Sequence, residues 1–275
     1  EVFSTPYPES SWQLPWLHSL FGNGPAVAAG VAAALRAKGH EDIRVVGQAG
    51  DGGTVDIGFG CLSGMFERND DVLFVCYDNE GYMNTGVQRS GATPPAARTA
   101  NTKPIGAEPG NVFGQGKNVP LIAMAHEIPY VATATVADLY DLEHKVERAM
   151  ELRGARYLHV LVPCPLGWGH DGALSIEVAR LAVKTGLFPL IELERGDCRY
   201  PYGGDEDGEA ITFCGHPRRP GRGAVRHRQR GRVGVGIAVE MNRIALGAGL
   251  SVAKVPQPRR RIAGRSASRA RGNGG

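Results

Sequence analysis

Two glycine-punctuated stretches limit what this chain can fold into. Gly50-Asp51-Gly52-Gly53 follows a β-branched run, Ile43-Arg44-Val45-Val46-Gly47-Gln48. Asp78-Asn79-Glu80-Gly81-Tyr82-Met83-Asn84-Thr85-Gly86 follows a second apolar run, Val72-Leu73-Phe74-Val75-Cys76-Tyr77. Short apolar runs bounded by turn residues read as buried parallel strands, so each stretch sits at the exit of a strand. Asp51 and Asn79 are 28 residues apart, the length of one helix plus one strand with turns, which lets both stand on the same rim of a sheet. A carboxylate, a carboxamide oxygen and the Gly81 carbonyl are the hard oxygen donors that magnesium takes, with positions left for two diphosphate oxygens and water. The glycines at 50, 52 and 53 let backbone N–H groups and the following helix N-terminus approach a phosphate. Alone, Gly-Asp-Gly is a tight turn and Asp-Asn a strand exit. Their conjunction outlines a magnesium–diphosphate site.

The rest of residues 1–195 supplies a scaffold for such a rim. Residues 1–24 are rich in Pro, Ser and aromatics and form an irregular lead-in, in which Trp12 and Trp16 pack or face a partner. Pro25 to Lys38 is a helix, with Pro at its start and Gly39 as a stop. Val55 to Glu67 keeps helical spacing despite Gly58, Gly60 and Gly64, whose tolerance points to close packing. From Asn79 to about Val119 the chain is turn-rich, and a loop of that length inside an α/β domain is more often functional than accidental. The alternation then resumes with a helical segment at Pro120–Glu127, a strand at Tyr130–Thr135 and a helix from Leu139 to Arg153 with Asp138 as N-cap. A strand at Tyr157–Val162, a helix capped by Ser175 through Lys184 and a last strand at Pro189–Glu194 follow. The fold class is α/β, a doubly wound, mostly parallel sheet, with ligands outside the carboxyl ends of the strands.

Composition narrows the classes further. The chain has 275 residues and 42% hydrophobic content, ample for a buried core. No apolar run approaches ~18 residues, so no membrane-spanning helix is expected, and without a signal-peptide pattern the expected location is cytoplasmic. Cys61, Cys76, Cys164, Cys198 and Cys214 form no CxxC pair, which argues against a disulfide framework and a self-contained zinc site. Cys61 and Cys76 lie in apolar segments and read as buried thiols. His18, His126 and His170 are lone histidines without a partner motif, and the bland reading is preferred for each.

Once these stretches are in view, the chain resembles a known family. Gly50-Asp51-Gly52 spaced to Asn79 looks like the thiamine diphosphate fingerprint. Asp56-Ile57-Gly58 with Tyr77 through Ser90 closely resembles the β subunit of pyruvate:ferredoxin oxidoreductase. The likeness runs from Glu1-Val2-Phe3-Ser4-Thr5-Pro6-Tyr7-Pro8 through Cys164-Pro165-Leu166-Gly167-Trp168 to Leu187-Phe188-Pro189-Leu190. It implies a thiamine diphosphate-binding fold and oxidative decarboxylation of pyruvate to acetyl-CoA and CO2, with electrons passed to ferredoxin. Asp51, Asn79 and the Gly81 carbonyl would hold Mg2+. Gly50, Gly52, Gly53, Tyr82 and Thr85 would contact the cofactor, and Asn84 would lie near the thiazolium and substrate as the catalytic candidate.

The resemblance also implies an α subunit that carries the carboxylate activating the aminopyrimidine, and γ and δ components or fused equivalents. It implies a [4Fe–4S] cluster too, for which Cys164 fits the fourth ligand position and the other three fall upstream of the segment matching Glu1. The same chemistry on branched-chain 2-oxoacids is the nearest alternative, and a non-catalytic, basic-tailed binding protein is the rival from another class.

Charge divides the chain. Residues 1–195 carry 15 Lys+Arg against 22 Asp+Glu, a net −7, while residues 196–275 carry 16 against 6, a net +10, together the overall +3. Residues 215–236 and 256–275 are Arg/Gly/Pro-rich with no apolar period, the composition of a disordered tail. A basic arm for nucleic acid is one explanation. The abrupt change after Gly196 favours the other, a shifted reading frame in a GC-rich gene.

Overall fold

The computed structural model describes residues 14–114 and 116–202. Six strands form one sheet: β1 (Val45–Gly50), β2 (Val72–Asp78), β3 (Tyr130–Thr135), β4 (Arg156–Leu161), β5 (Leu190–Glu194) and β6 (Asp197–Tyr202), in the order β1-β2-β4-β3-β5-β6. The first four are parallel, and β5 and β6 join antiparallel at the β3 edge. β3 and β4 are buried along their whole length, as is most of β2, which explains their nearly unbroken apolar sequences.

Helices cover both faces. Ala28, Ala29 and Ala32 of α1 (Gly24–Ala37), Leu62, Met65 and Phe66 of α2 (Phe59–Glu67), and Ala123 and Met124 of α3 (Val119–Ala125) pack with Phe74, Cys76, Val131 and Tyr157. Ala149 of α4 (Leu139–Glu151) packs on the opposite face with Leu73, Val75, Ala132, Leu158 and Val160. A third cluster joins Leu161, Phe188 and Leu190 to Ala182 of α6 (Ser175–Lys184). The sheet is therefore doubly wound and mostly parallel, as the alternation of patterns requires. Among the described residues no helix is long and apolar enough to cross a membrane.

Several local expectations change. The segment expected as one helix from Val55 to Glu67 is a π-helical turn, Gly52–Ile57, followed by α2. The Gly58 N–H reaches the Gly53 carbonyl at 2.9 Å, one residue wider than an α-helical bond, and such widened turns concentrate at functional sites. Asp138 caps α4 by accepting from the Asp141 N–H. Ser175 is not a cap but the first residue of α6, its hydroxyl turned back to the Gly172 carbonyl. Cys76 is buried as expected, whereas Cys61 is exposed, because its turn of α2 faces away from the sheet. Pro189–Glu194 is not the last strand, since β6 extends the sheet past Gly196 to Tyr202. Residues 203–275, with both Arg-rich runs, Cys214 and nearly all of the expected 196–275 tail, lie outside the described residues, as do Glu1–Gln13 with Trp12.

Candidate thiamine diphosphate site

β1 and β2 pair in a register that sets Gly50 against Tyr77, so Asp51 and Asp78-Asn79 leave the sheet side by side at the carboxyl rim. Asp51 is buried. The Ser90 hydroxyl donates to its Oδ2 at 2.5 Å, and its Oδ1 faces the Asn79 side chain at 3.1 Å. The same end of the Asn79 carboxamide lies 2.8 Å from the Gly81 carbonyl. With its nitrogen inward, Asn79 donates to both oxygens; with its oxygen inward, three oxygens converge. The two spacings about Asn79, 3.1 and 2.8 Å, are close to the edge of an octahedron with metal–oxygen bonds of 2.0–2.1 Å, about 2.9 Å. The residues therefore fit a small hard cation.

Electrostatics point the same way. Burial, then the neighbouring Asp78 carboxylate, raise the Asp51 pKa to about 7 against the opposing hydrogen bond from Ser90. Burial and the charges of Asp78 and Asp51 push Glu80 well up as well. A cation beside Asp51 would offset the repulsion among these neighbouring acidic groups. Beside it, the buried Thr54 hydroxyl of the π-helical turn has no partner among the described residues, leaving a donor for a ligand on this turn.

The long loop is folded down onto this rim. Asp56 accepts from Lys117 Nζ at 2.6 Å, from the Gly91 N–H at 2.8 Å and from the Tyr82 hydroxyl at 3.1 Å. Partial burial pushes the Asp56 pKa up, but Lys117 and the other donors outweigh it and hold the carboxyl below its usual range. Tyr82 and Gln88 form a β-bridge around the turn that carries Asn84 and Thr85, both exposed. Thr85 bonds to Gln88 in both directions. Val87 holds φ 64°, an outlier for a β-branched residue and a sign of local strain.

Of the glycines in the turn, Gly52 is the one a neighbour requires, since a Cβ there would overlap the Tyr82 ring. Gly50 and Gly53 have ordinary room. The structure thus brings Asp51, Asn79, Gly81, Gly52 and Tyr82 together, and sets Asn84 and Thr85 on the adjacent hairpin tip. Cys164 is part-buried and begins α5 (Pro165–Trp168), whose indole reaches back to the Asn79 carbonyl at 2.9 Å.

Sequence reasoning missed the support behind the rim. His159, buried in β4, has Nε2 2.7 Å from Asp78 Oδ2 and Nδ1 2.6 Å from the Tyr157 hydroxyl. Burial opposes its charging, but Cys76 and the Asp78 carboxylate more than reverse this and raise its pKa well above the ordinary value. One signal was available: an imidazole inside the apolar run Tyr157–Val162 must find a partner. The histidines that did attract notice are ordinary. His18 is exposed, His126 meets the Ser63 hydroxyl, and His170 meets the Asp171 carbonyl.

A parallel sheet with a Gly-Asp-Gly exit and a second exit supplying carboxamide and carbonyl oxygens defines a class, the thiamine diphosphate-binding enzymes. The family profile of the thiamine pyrophosphate enzyme C-terminal TPP binding domain matches residues 2–160. A profile described as GcrA cell cycle regulator matches residues 146–232, a minority of the chain that includes β4 and β5 of the same sheet. Pyruvate synthase subunit PorB of Methanothermobacter thermautotrophicus is 51% identical over 202 residues, covering 74% of this chain and 70% of the relative. Ketoisovalerate oxidoreductase subunit VorB of Pyrococcus abyssi is 45% identical over 200 residues, covering 71% and 64%.

Among solved structures, the 2-oxoglutarate:ferredoxin oxidoreductase of Magnetococcus marinus matches with TM-score 0.46 and 26% identity over 58% of each chain. The chain belongs to the thiamine pyrophosphate enzymes and, within them, to the β-subunit family of the 2-oxoacid:ferredoxin oxidoreductases.

Proposed function

We propose that this chain carries the magnesium and diphosphate end of thiamine diphosphate in a pyruvate:ferredoxin oxidoreductase. The observation that carries this reading is the Asn79 carboxamide lying 3.1 Å from Asp51 Oδ1 and 2.8 Å from the Gly81 carbonyl at one rim of the sheet. Asp51, Asn79 and the Gly81 carbonyl hold Mg2+. Gly50, Gly52, Gly53 and the Thr54 hydroxyl face the diphosphate, while Tyr82 and Thr85 line the approach. Ser90 fixes the Asp51 carboxylate, and Asp56 with Lys117 closes the loop over the turn. Asn84, at the exposed hairpin tip, would meet the substrate or the thiazolium. When bound, the cofactor supplies the carbon nucleophile and electron sink needed to decarboxylate a 2-oxoacid.

An α subunit supplies the remaining half of the site, including the carboxylate for the aminopyrimidine; γ and δ components or fused equivalents complete the enzyme. Ferredoxin takes the electrons and coenzyme A the acyl group. The setting is cytoplasmic. Cys164 is the candidate ligand for a [4Fe–4S] cluster, with thiolates from outside the described residues. Those residues contain no group of three or more His, Cys, Asp or Glu that could hold a metal. One thiolate does not make a cluster site.

Pyruvate is the 2-oxoacid in the names of the more similar relatives. A branched-chain 2-oxoacid is the second reading, favoured by the relative named ketoisovalerate oxidoreductase. Titration of the subunit complex with thiamine diphosphate and Mg2+ tests the assignment. Asp51→Ala should abolish the Mg2+-dependent binding, and unchanged binding in that variant would sink it.

A further inference from the structure

Within the Asp78–Gly81 turn the Glu80 N–H donates to Asp78 Oδ1 at 2.8 Å, but much of the turn's shape is imposed from outside. Glu80 sits at φ 65°, a left-handed conformation costly for a non-glycine residue, and persists only where the surroundings impose it. The tethers come from distant segments. The Val162 N–H donates to the Asp78 carbonyl at 2.7 Å, Trp168 Nε1–H to the Asn79 carbonyl at 2.9 Å, and the Thr93 hydroxyl to the Glu80 carbonyl at 2.6 Å. Three successive carbonyls are thereby occupied, while the fourth, Gly81, faces the Asn79 carboxamide. Trp168 fixes the peptide of the residue whose side chain meets Asp51. Its ring is seated on the Leu161, Ala182, Phe188 and Leu190 cluster. Gly167 beside it has no room for a Cβ, which would overlap the Met83 thioether, so α5 is also pressed against the segment that follows the turn.

We propose that Trp168 is a positioning residue for the cation: its indole N–H holds the Asn79 peptide so that the Asn79 carboxamide and Gly81 carbonyl face Asp51. This rests on the assignment of Asp51, Asn79 and Gly81 as the magnesium site. In this role Trp168 acts through the Asn79 peptide. Replacing it with phenylalanine keeps an aromatic ring on the cluster and removes the donor. Leu187, which packs on the same cluster, makes no bond to the turn. Leu187→Ala therefore loosens α5 packing without removing the tether.

The test is a Mg2+ titration of the assembled subunit complex at fixed thiamine diphosphate, followed calorimetrically, with Mn2+ EPR of the bound ion and thermal unfolding in parallel. Trp168→Phe should raise the half-saturating Mg2+ concentration about 2- to 12-fold, the worth of one hydrogen bond. It should also change the Mn2+ spectrum and leave Tm near the wild-type value. Leu187→Ala should lower Tm and leave the Mg2+ requirement and the spectrum unchanged. A wild-type Mg2+ requirement in Trp168→Phe, or an equal rise in Leu187→Ala, overturns the inference. Asp51→Ala separates the two levels. If it loses the Mg2+ response while Trp168→Phe keeps that of the wild type, only the role of Trp168 fails; if it responds like the wild type, the site assignment fails.

Discussion

The sharpest test of the electrostatics concerns His159, which lies outside the predicted ligand set. It is 5% exposed and Asp78 is 4% exposed, and the 2.7 Å contact joins Asp78 Oδ2 to an imidazole, while Asp78 Oδ1 accepts the Glu80 N–H. His159→Leu keeps an apolar side chain of similar bulk in β4 and strands a buried carboxylate beside Asp51 and Glu80. Breaking a buried pair from one side costs about 3–5 kcal/mol.

At about 2–4 °C per kcal/mol for a chain of this size, Tm should fall by about 6–20 °C. In the wild type the raised His159 pKa contributes stability that is complete below about pH 6.5 and lost only as pH rises through the folded value. Thermal unfolding by circular dichroism at pH 7, and on raising the pH from there, measures both effects. His159→Leu/Asp78→Asn removes the orphaned charge and should recover most of the loss. A single variant within 1 kcal/mol of wild type, or a double variant no more stable than the single, would refute the reasoning.

Two further outcomes follow from other charges. Since Asp51 is raised to about 7, magnesium must displace a proton from it below that pH. Mg2+-dependent cofactor affinity should therefore weaken as pH falls from 7, by up to about tenfold per unit, with proton release visible calorimetrically in buffers of different ionisation enthalpy; a flat profile from pH 5 to 8 would contradict it. At the opposite rim, the fully buried Arg156 is paired by Asp71, which also bonds Arg153. Asp71→Ala should cost about 3–5 kcal/mol in urea unfolding while leaving the Mg2+ requirement of the folded enzyme unchanged.

The parts of this molecule legible in the sequence are those set by local rules. The apolar runs at 72–77 and 130–135 fixed parallel strands, Asp138 announced a helix start, and two turn motifs at a 28-residue interval placed Asp51 and Asn79 on one rim. What stayed hidden depends on register and on contacts between distant segments. His159 meets Asp78 because β4 lies next to β2 rather than next in chain order, a consequence of the β1-β2-β4-β3 arrangement that no local pattern encodes. The π-helical turn was masked by helical spacing, which widened turns share with α-helices over a few residues. Ser90, Thr93 and Lys117 look like loop filler until the loop is folded onto Asp51, Glu80 and Asp56.

The division has a physical cause. The atoms facing a cation must be few and fixed in type, so they leave a motif. The groups that hold them need only reach from whatever strand or loop the topology brings alongside. Much of the side-chain support of this site therefore lies outside the stretches that announce it. Trp168 and His159 reach the Asp78–Gly81 turn from segments more than 80 residues away in sequence, at separations of 89 and 81.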